Sequence, residues 1–125
     1  MENRKVVLAI DDDPVQLQLF QRILSTKYDI QVVKSASNAL NFLNTHTADI
    51  ILLDILMPNI SGFEFLDDIR KIPSYVTVPI IIVSSDNSEA FFKQARNSSA
   101  FDVLTKPVAR EALIATIEKA FAATG

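Results

Sequence analysis

At 125 residues, 49% of them hydrophobic and 22% charged, the chain has the length and apolar content for one folded domain with one core, which excludes a disordered tail. Twelve Lys and Arg against fifteen Asp and Glu give a net charge of −3 with no basic stripe, so direct binding to nucleic acid is not expected. Cysteine is absent, which rules out disulfides and thiolate metal sites, and the first apolar run is too short for a signal peptide or a membrane span. A cytoplasmic, non-membrane protein is the expectation.

In chain order, Val6–Ile10 is a short apolar run without polar alternation, as in a strand covered on both faces. Asp11, Asp12 and Asp13 follow, and Asp13 before Pro14 has the form of a helix N-cap with proline at the first helical position. Leu17, Phe20 and Leu24 give that helix an apolar face. Tyr28, Ile30 and Val32 alternate with Asp29 and Gln31, the pattern of a half-covered edge strand. Ala36, Ala39, Leu40 and Leu43 follow the i, i+3, i+4, i+7 spacing of an amphipathic helix. Ile50–Leu53 is a second fully apolar strand, ending at Asp54, and Phe65, Leu66 and Ile69 mark the next helix. Gly62, the only glycine besides Gly125, marks a turn with positive φ or a close backbone approach. Ile80–Val83 is a third buried strand, with Ser84 at its end. Phe91, Phe92 and Ala95 supply a further helical apolar face, the Phe91-Phe92 pair reading as core and half-core, and Phe101 and Val103 alternate with Asp102 in a second edge strand. Leu113, Ile117 and Ala120 complete a fifth helix. The single histidine, His46, sits at the polar end of a helix and is expected to be exposed and without catalytic duty.

No repeat or linker divides the chain, so residues 1–125 are expected to form one α/β domain of five strands and five helices. Strict alternation requires right-handed crossovers and a parallel sheet covered on both sides. Edge-like second and fifth strands favour the order 2-1-3-4-5 of a flavodoxin-like, doubly wound fold. In such a sheet ligands bind beyond the carboxyl ends of the strands, where strand order reverses. That rim collects Asp11, Asp12, Asp54, Ser84 and Lys106. Clustered carboxylates call for a hard divalent cation with oxygen ligands, and magnesium suits them better than zinc, which would want His or Cys. Three carboxylates are then balanced by one divalent ion and one lysine. A carboxylate that attacks a phosphoryl group gains negative charge and acceptor oxygens, which metal, lysine and hydroxyl can stabilise.

The motifs Ile10-Asp11-Asp12-Asp13-Pro14, Leu53-Asp54-Ile55-Leu56-Met57-Pro58, Gly62, Ser84 and Lys106-Pro107 resemble the receiver domain of response regulators in two-component signal transduction, over nearly the whole chain. The resemblance implies that Asp54 is the phosphoacceptor, that Asp12, Asp54 and the carbonyl of Leu56 bind Mg²⁺ directly, and that Asp11 acts largely through water. Ser84 and Lys106 would hold phosphoryl oxygens. The phosphodonor would be a phosphohistidine on a sensor histidine kinase or histidine phosphotransfer protein. The resemblance also implies a cis peptide between Lys106 and Pro107, which a Lys-Pro step alone leaves open.

Several positions depart from that pattern. Receivers often have Tyr or Phe three residues before the lysine, where this chain has Val103, so signalling through an aromatic rotamer is not expected. Ser99 and Val108 stand where the family tends to have Gly and Phe. Leu56 and Asp86, two residues beyond Asp54 and Ser84, are the positions expected to set acyl-phosphate lifetime, and Leu56 offers no hydrogen bond to an attacking water. Val15 and Leu19 are expected to join Pro107 and Val108 in an exposed apolar docking patch. The competing reading is an Mg²⁺-dependent phosphohydrolase with an Asp nucleophile, which would usually carry a second acid at the position of Leu56. An FMN binder of the same fold is disfavoured, because three acids would repel the phosphate its first loop must cradle.

Overall fold

The computed structural model describes residues 4–124, so residues 1–3 and 125 of the expected domain lie outside the described residues. The elements are β1 (Val6–Ile10), α1 (Pro14–Leu24), β2 (Asp29–Val33), α2 (Ala36–Thr45), β3 (Ile50–Asp54), α3 (Gly62–Arg70), a 3₁₀ turn (Pro73–Tyr75), β4 (Ile80–Ser84), α4 (Glu89–Arg96), β5 (Asp102–Thr105) and α5 (Arg110–Thr124). All four strand pairs are parallel, in the order β2-β1-β3-β4-β5. Fold class, element order and both edge strands agree with the sequence reading; the 3₁₀ turn was not foreseen.

All five residues of β3 and of β4 are buried, because helices cover both faces of the sheet. Alternation divides their side chains between two cores. Leu8, Ile10, Ile51, Leu53, Ile80 and Ile82 pack under α2, α3 and α4, which contribute Ala39, Leu43, Phe65, Leu66, Ile69, Phe91 and Ala95. Val7, Ala9, Ile50, Leu52, Ile81 and Val83 pack under α1 and α5 against Leu17, Phe20, Leu24, Leu113, Ile117 and Ala120. Each fully buried Ile or Leu contributes about 1.5–3 kcal/mol, so these two layers dominate the favourable side of folding. Four helices start at a polar cap: Asp13, Ser35, Ser61 and Ser88 accept from the backbone N–H of Val15, Asn38, Glu64 and Phe91. Such a cap is worth about 1 kcal/mol.

Two expectations need correction. Val108 is not part of an exposed patch: it is 7% exposed and packs into the α1/α5 core, because the chain turns inward after Pro107. Val15 and Leu19 are exposed as anticipated. Gly62 does not use positive φ; instead a Cβ placed there would lie 2.5 Å from the carbonyl oxygen of Ile55 and 2.7 Å from its Cα. The left-handed residue of this loop is Asn59, with φ 65°. Asparagine tolerates that conformation better than other residues with a side chain.

Arg70, in the last turn of α3, stitches together the end of the sheet opposite the carboxyl rim. Its guanidinium donates to the carbonyls of Tyr75 (2.7 Å), Val78 (2.6 Å) and Ser99 (2.9 Å) and to the Ser99 hydroxyl (2.9 Å). It thereby ties α3 and the segment before β4 to the loop between α4 and β5.

The Gly62 contact generates an expectation for stability. Gly62→Ala should lower the unfolding free energy by about 1–3 kcal/mol in urea titration, because a methyl would meet, besides the Ile55 side chain, the Ile55 carbonyl oxygen and Cα, backbone atoms that cannot rotate away.

Candidate functional site

The site forms where three parallel strands release their chains at one rim. β1 ends at Ile10, and the backbone N–H of Asp11 still donates to the carbonyl of Val33, which holds Asp11 in line with the strand. Side-chain alternation then places Asp11 on the same face as Val7 and Ala9, and Asp54 on the face of Ile50 and Leu52. Both carboxylates are buried, Asp11 at 1% and Asp54 at 4% exposure, while Asp12 points to solvent. Lys106, one residue beyond β5, reaches back to them: its Nζ lies 3.0 Å from Asp11 Oδ2 and 3.5 Å from Asp54 Oδ2. The Lys106–Pro107 peptide is cis, as the family resemblance implied.

The remaining carboxylate oxygens are fixed by the backbone. Asp11 Oδ1 accepts from the N–H of Asp13 at 2.9 Å, and Asp54 Oδ1 accepts from the N–H of Leu56 at 3.1 Å. Burial pushes the Asp54 carboxyl up to about 6 from 3.8; the Leu56 N–H and Lys106 work against this, and the negative charge of Asp11 adds to it. For Lys106 burial alone would lower the pKa, but its close ion pair with Asp11 and the charge of Asp54 outweigh it and raise the value. Lys106 is a cation here.

Asp11, Asp12 and Asp54 each present a carboxylate oxygen within 4.8 Å of the others, a spacing and donor set suited to a hard divalent ion. Although Asp11 Oδ2 lies close to the Lys106 ammonium, among the described residues this buried atom receives no hydrogen bond of good geometry, leaving a lone pair free for a cation. The residues fit a metal.

Ser84 is buried at the end of β4, but its hydroxyl is turned to its own loop and accepts from the N–H of Asp86 at 3.0 Å. Among the described residues its side chain makes no hydrogen bond to Asp54 or Lys106; its carbonyl accepts from the N–H of Lys106 at 2.9 Å. Asp86 is half-buried, its carboxyl held below the usual range by the N–H of Ser88. The Leu56 side chain stands 54% exposed beside the site, and Val103 is half-buried against the core under α3 and α4. His46 is exposed and stacks on Phe42, remote from these groups in the fold. The backbone N–H groups of Asp13 and Leu56 are the orienting donors that side-chain reasoning did not name; loops that turn back within two residues of an acid are the signal for them.

Comparison with known proteins agrees with this geometry. The profile of the response regulator receiver domain matches residues 7–118. The chain is 34% identical over 110 residues to the two-component response regulator ARR2 of Arabidopsis thaliana, covering 86% of this chain and 16% of that protein. It is 30% identical over 118 residues to protein PilH of Pseudomonas aeruginosa, covering 93% of this chain and 97% of PilH. The chain spans about half the length (49%) of the rice response regulator ORR1 that it also matches. Among solved structures, the chemotaxis protein CheY4 of Vibrio cholerae superimposes with a TM-score of 0.88 at 26% identity, over 94% of this chain and 99% of that one. The receiver domain of the Francisella response regulator 1452 does so with a TM-score of 0.86 at 29% identity, over 98% and 100%. No helix among the described residues is long and apolar enough to cross a membrane. With the acidic rim, the strand order and the family profile in agreement, the chain belongs to the response regulator receiver domain family of two-component signalling.

Proposed function

We propose that Asp54 accepts a phosphoryl group from a phosphohistidine of a sensor histidine kinase or histidine phosphotransfer protein, with Mg²⁺ held by Asp11, Asp12, Asp54 and the carbonyl of Leu56. The observation that carries this reading is the Asp54 carboxylate itself, buried, anchored through one oxygen by the Leu56 N–H and facing Lys106 with the other. An Asp54 oxygen forms the new bond to phosphorus as the bond to the histidine nitrogen breaks, and the imidazole leaves with the electron pair. Bound Mg²⁺ would neutralise charge on the phosphoryl oxygens. Lys106 supplies a fixed cation to those oxygens, and Ser84 a hydroxyl once it turns from its loop. The docking surface we assign to the donor is Val15 and Leu19, one helical turn apart, with exposed Pro107 beside the site; it no longer includes Val108.

Leu56 supports transfer over hydrolytic turnover of other substrates. An Asp-nucleophile phosphohydrolase needs an acid to protonate its leaving group, and the exposed side chain two residues beyond Asp54 is aliphatic. In this reading the domain catalyses only its own phosphorylation and dephosphorylation.

Incubation with acetyl phosphate and Mg²⁺ should add the mass of one phosphoryl group, and Asp54→Ala should abolish the gain in intact mass; repeated turnover of a chromogenic phosphate ester would oppose the reading. Loss of phosphate should be several-fold faster in Leu56→Asn than in wild type, followed by intact mass after donor removal, and equal or slower loss would count against a shielding role. Stability should depend on pH in a defined direction. Because Asp54 binds its proton more tightly folded than unfolded, its contribution is full below about pH 4 and is lost as pH rises through about 6. Metal-free Asp54→Asn should remove that loss and gain about 1–3 kcal/mol at pH 7 in urea titration. Millimolar Mg²⁺ should raise the thermal midpoint of wild type but not of Asp12→Ala.

A further inference from the structure

Among the described residues two buried side-chain polar atoms lack a hydrogen-bond partner, Asp11 Oδ2 and Gln16 Nε2. One is an acceptor and the other a donor, and both belong to the stretch where β1 gives way to α1. Gln16 is 9% exposed, a degree of burial uncommon for a glutamine. At the third residue of a helix its ordinary task would be to reach back to the backbone N–H of the N-cap residue. Here that N–H, of Asp13, is already bonded to Asp11 Oδ1 at 2.9 Å. Asp11 takes the place of Gln16 at the cap and leaves the amide for another role.

Two features set this amide beside Asp11. Gln16 shares the buried face of α1 with Leu17, Phe20, Ile23 and Leu24, one turn nearer the rim than Phe20. Side chains of a helix lean toward its amino end, so Gln16 leans toward the rim. Asp11 lies on the sheet face of Val7 and Ala9, which is the face that α1 covers. Its Oδ2 has room for such a donor, because Lys106 Nζ stands 3.0 Å away without a directed hydrogen bond. A carboxylate oxygen has two lone pairs, one for a cation in the site and one for a donor from the helix.

The need for that donor arises when Lys106 is shared differently. Its ammonium serves two buried acids, at 3.0 Å from Asp11 and 3.5 Å from Asp54. Oxygens of a phosphoryl group on Asp54 would draw the ammonium to themselves and away from Asp11. Asp11 is 1% exposed, so bulk water cannot replace the lost partner, and a buried carboxylate oxygen left alone is strongly unfavourable. We infer that Gln16 is a positioning residue for phosphoryl acceptance: its amide donates to Asp11 Oδ2 as Lys106 turns to the phosphoryl oxygens, and so keeps Asp11 ionised and in place. This rests on the reading of Asp54 as phosphoacceptor.

Gln16→Met keeps the length of the side chain and removes the donor, which separates this role from packing. Without phosphate the variant should resist urea at least as well as wild type, because an amide with no partner is replaced by an apolar chain. With acetyl phosphate and Mg²⁺ its initial rate of phosphoryl gain, followed by intact mass, should be about tenfold below that of wild type, the order expected when a buried acceptor is left unpaired. In wild type the side-chain amide protons of Gln16, assigned by through-bond NMR, should move downfield on phosphorylation and exchange more slowly with solvent, as protons newly donated to a carboxylate do. That readout needs no variant. A Gln16→Met chain phosphorylated at the wild-type rate would overturn the inference, as would Gln16 amide protons that do not respond to phosphorylation. Clearly lower stability of Gln16→Met before phosphate is added would also overturn it, by showing that the amide is already bonded. A wild-type chain that never gains the phosphoryl mass would overturn the phosphoacceptor reading, and this inference with it.

Discussion

Two buried carboxylates from neighbouring strands, Asp11 and Asp54, are held at one rim of the sheet by a single ammonium group, that of Lys106. Like charges about 5 Å apart repel by about 3 kcal/mol at an effective dielectric constant near 20, so the pair requires a cation or a proton. The lysine comes from beyond β5, while the acids follow β1 and β3, and β4 lies between. Strands are spaced about 4.8 Å apart, and β5 lies two spacings from the strand of Asp54 and three from that of Asp11, a span no short side chain can cover. The parallel arrangement places all three residues at one end. An antiparallel neighbour would send its side chain to the opposite rim.

This constraint also explains why so much of the molecule was legible in its residues. Continuous apolar runs at Val6–Ile10, Ile50–Leu53 and Ile80–Val83 indicate strands covered on both faces, and the polar alternation around Ile30 and Val32 identifies an edge. Once a parallel sheet is inferred, acids that directly follow strands must meet at the rim, so Asp11, Asp12 and Asp54 could be brought together before any coordinates. Lys106 followed from the same rule.

What was illegible depends on contacts between segments distant in sequence. Val108 follows an exposed proline, and nothing local distinguishes a valine that turns into the core from one that stays outside. Gly62 was correctly marked as special, but only the position of Ile55 against α3 decides between positive φ and close approach. Ser84 was placed at the rim, yet the direction of its hydroxyl depends on a loop whose turns are made by its own polar side chains. Arg70 sits in the last turn of an amphipathic helix, where a basic residue ordinarily signals an exposed partner for the helix dipole. Its four bonds to two separate segments carry no signature in sequence.

Arg70 has a mechanical consequence. Through the Ser99 carbonyl and hydroxyl it grips the loop that follows α4, and through Tyr75 and Val78 it grips the segment that leads into β4. These acceptors are uncharged, so the grip does not depend on the ionisation of a neighbouring acid. α4 is eight residues, about 12 Å, long. Arg70 therefore sets where the carboxyl end of this helix sits against the start of β4, while its amino end is held by the Ser88 cap and by Phe91 in the core.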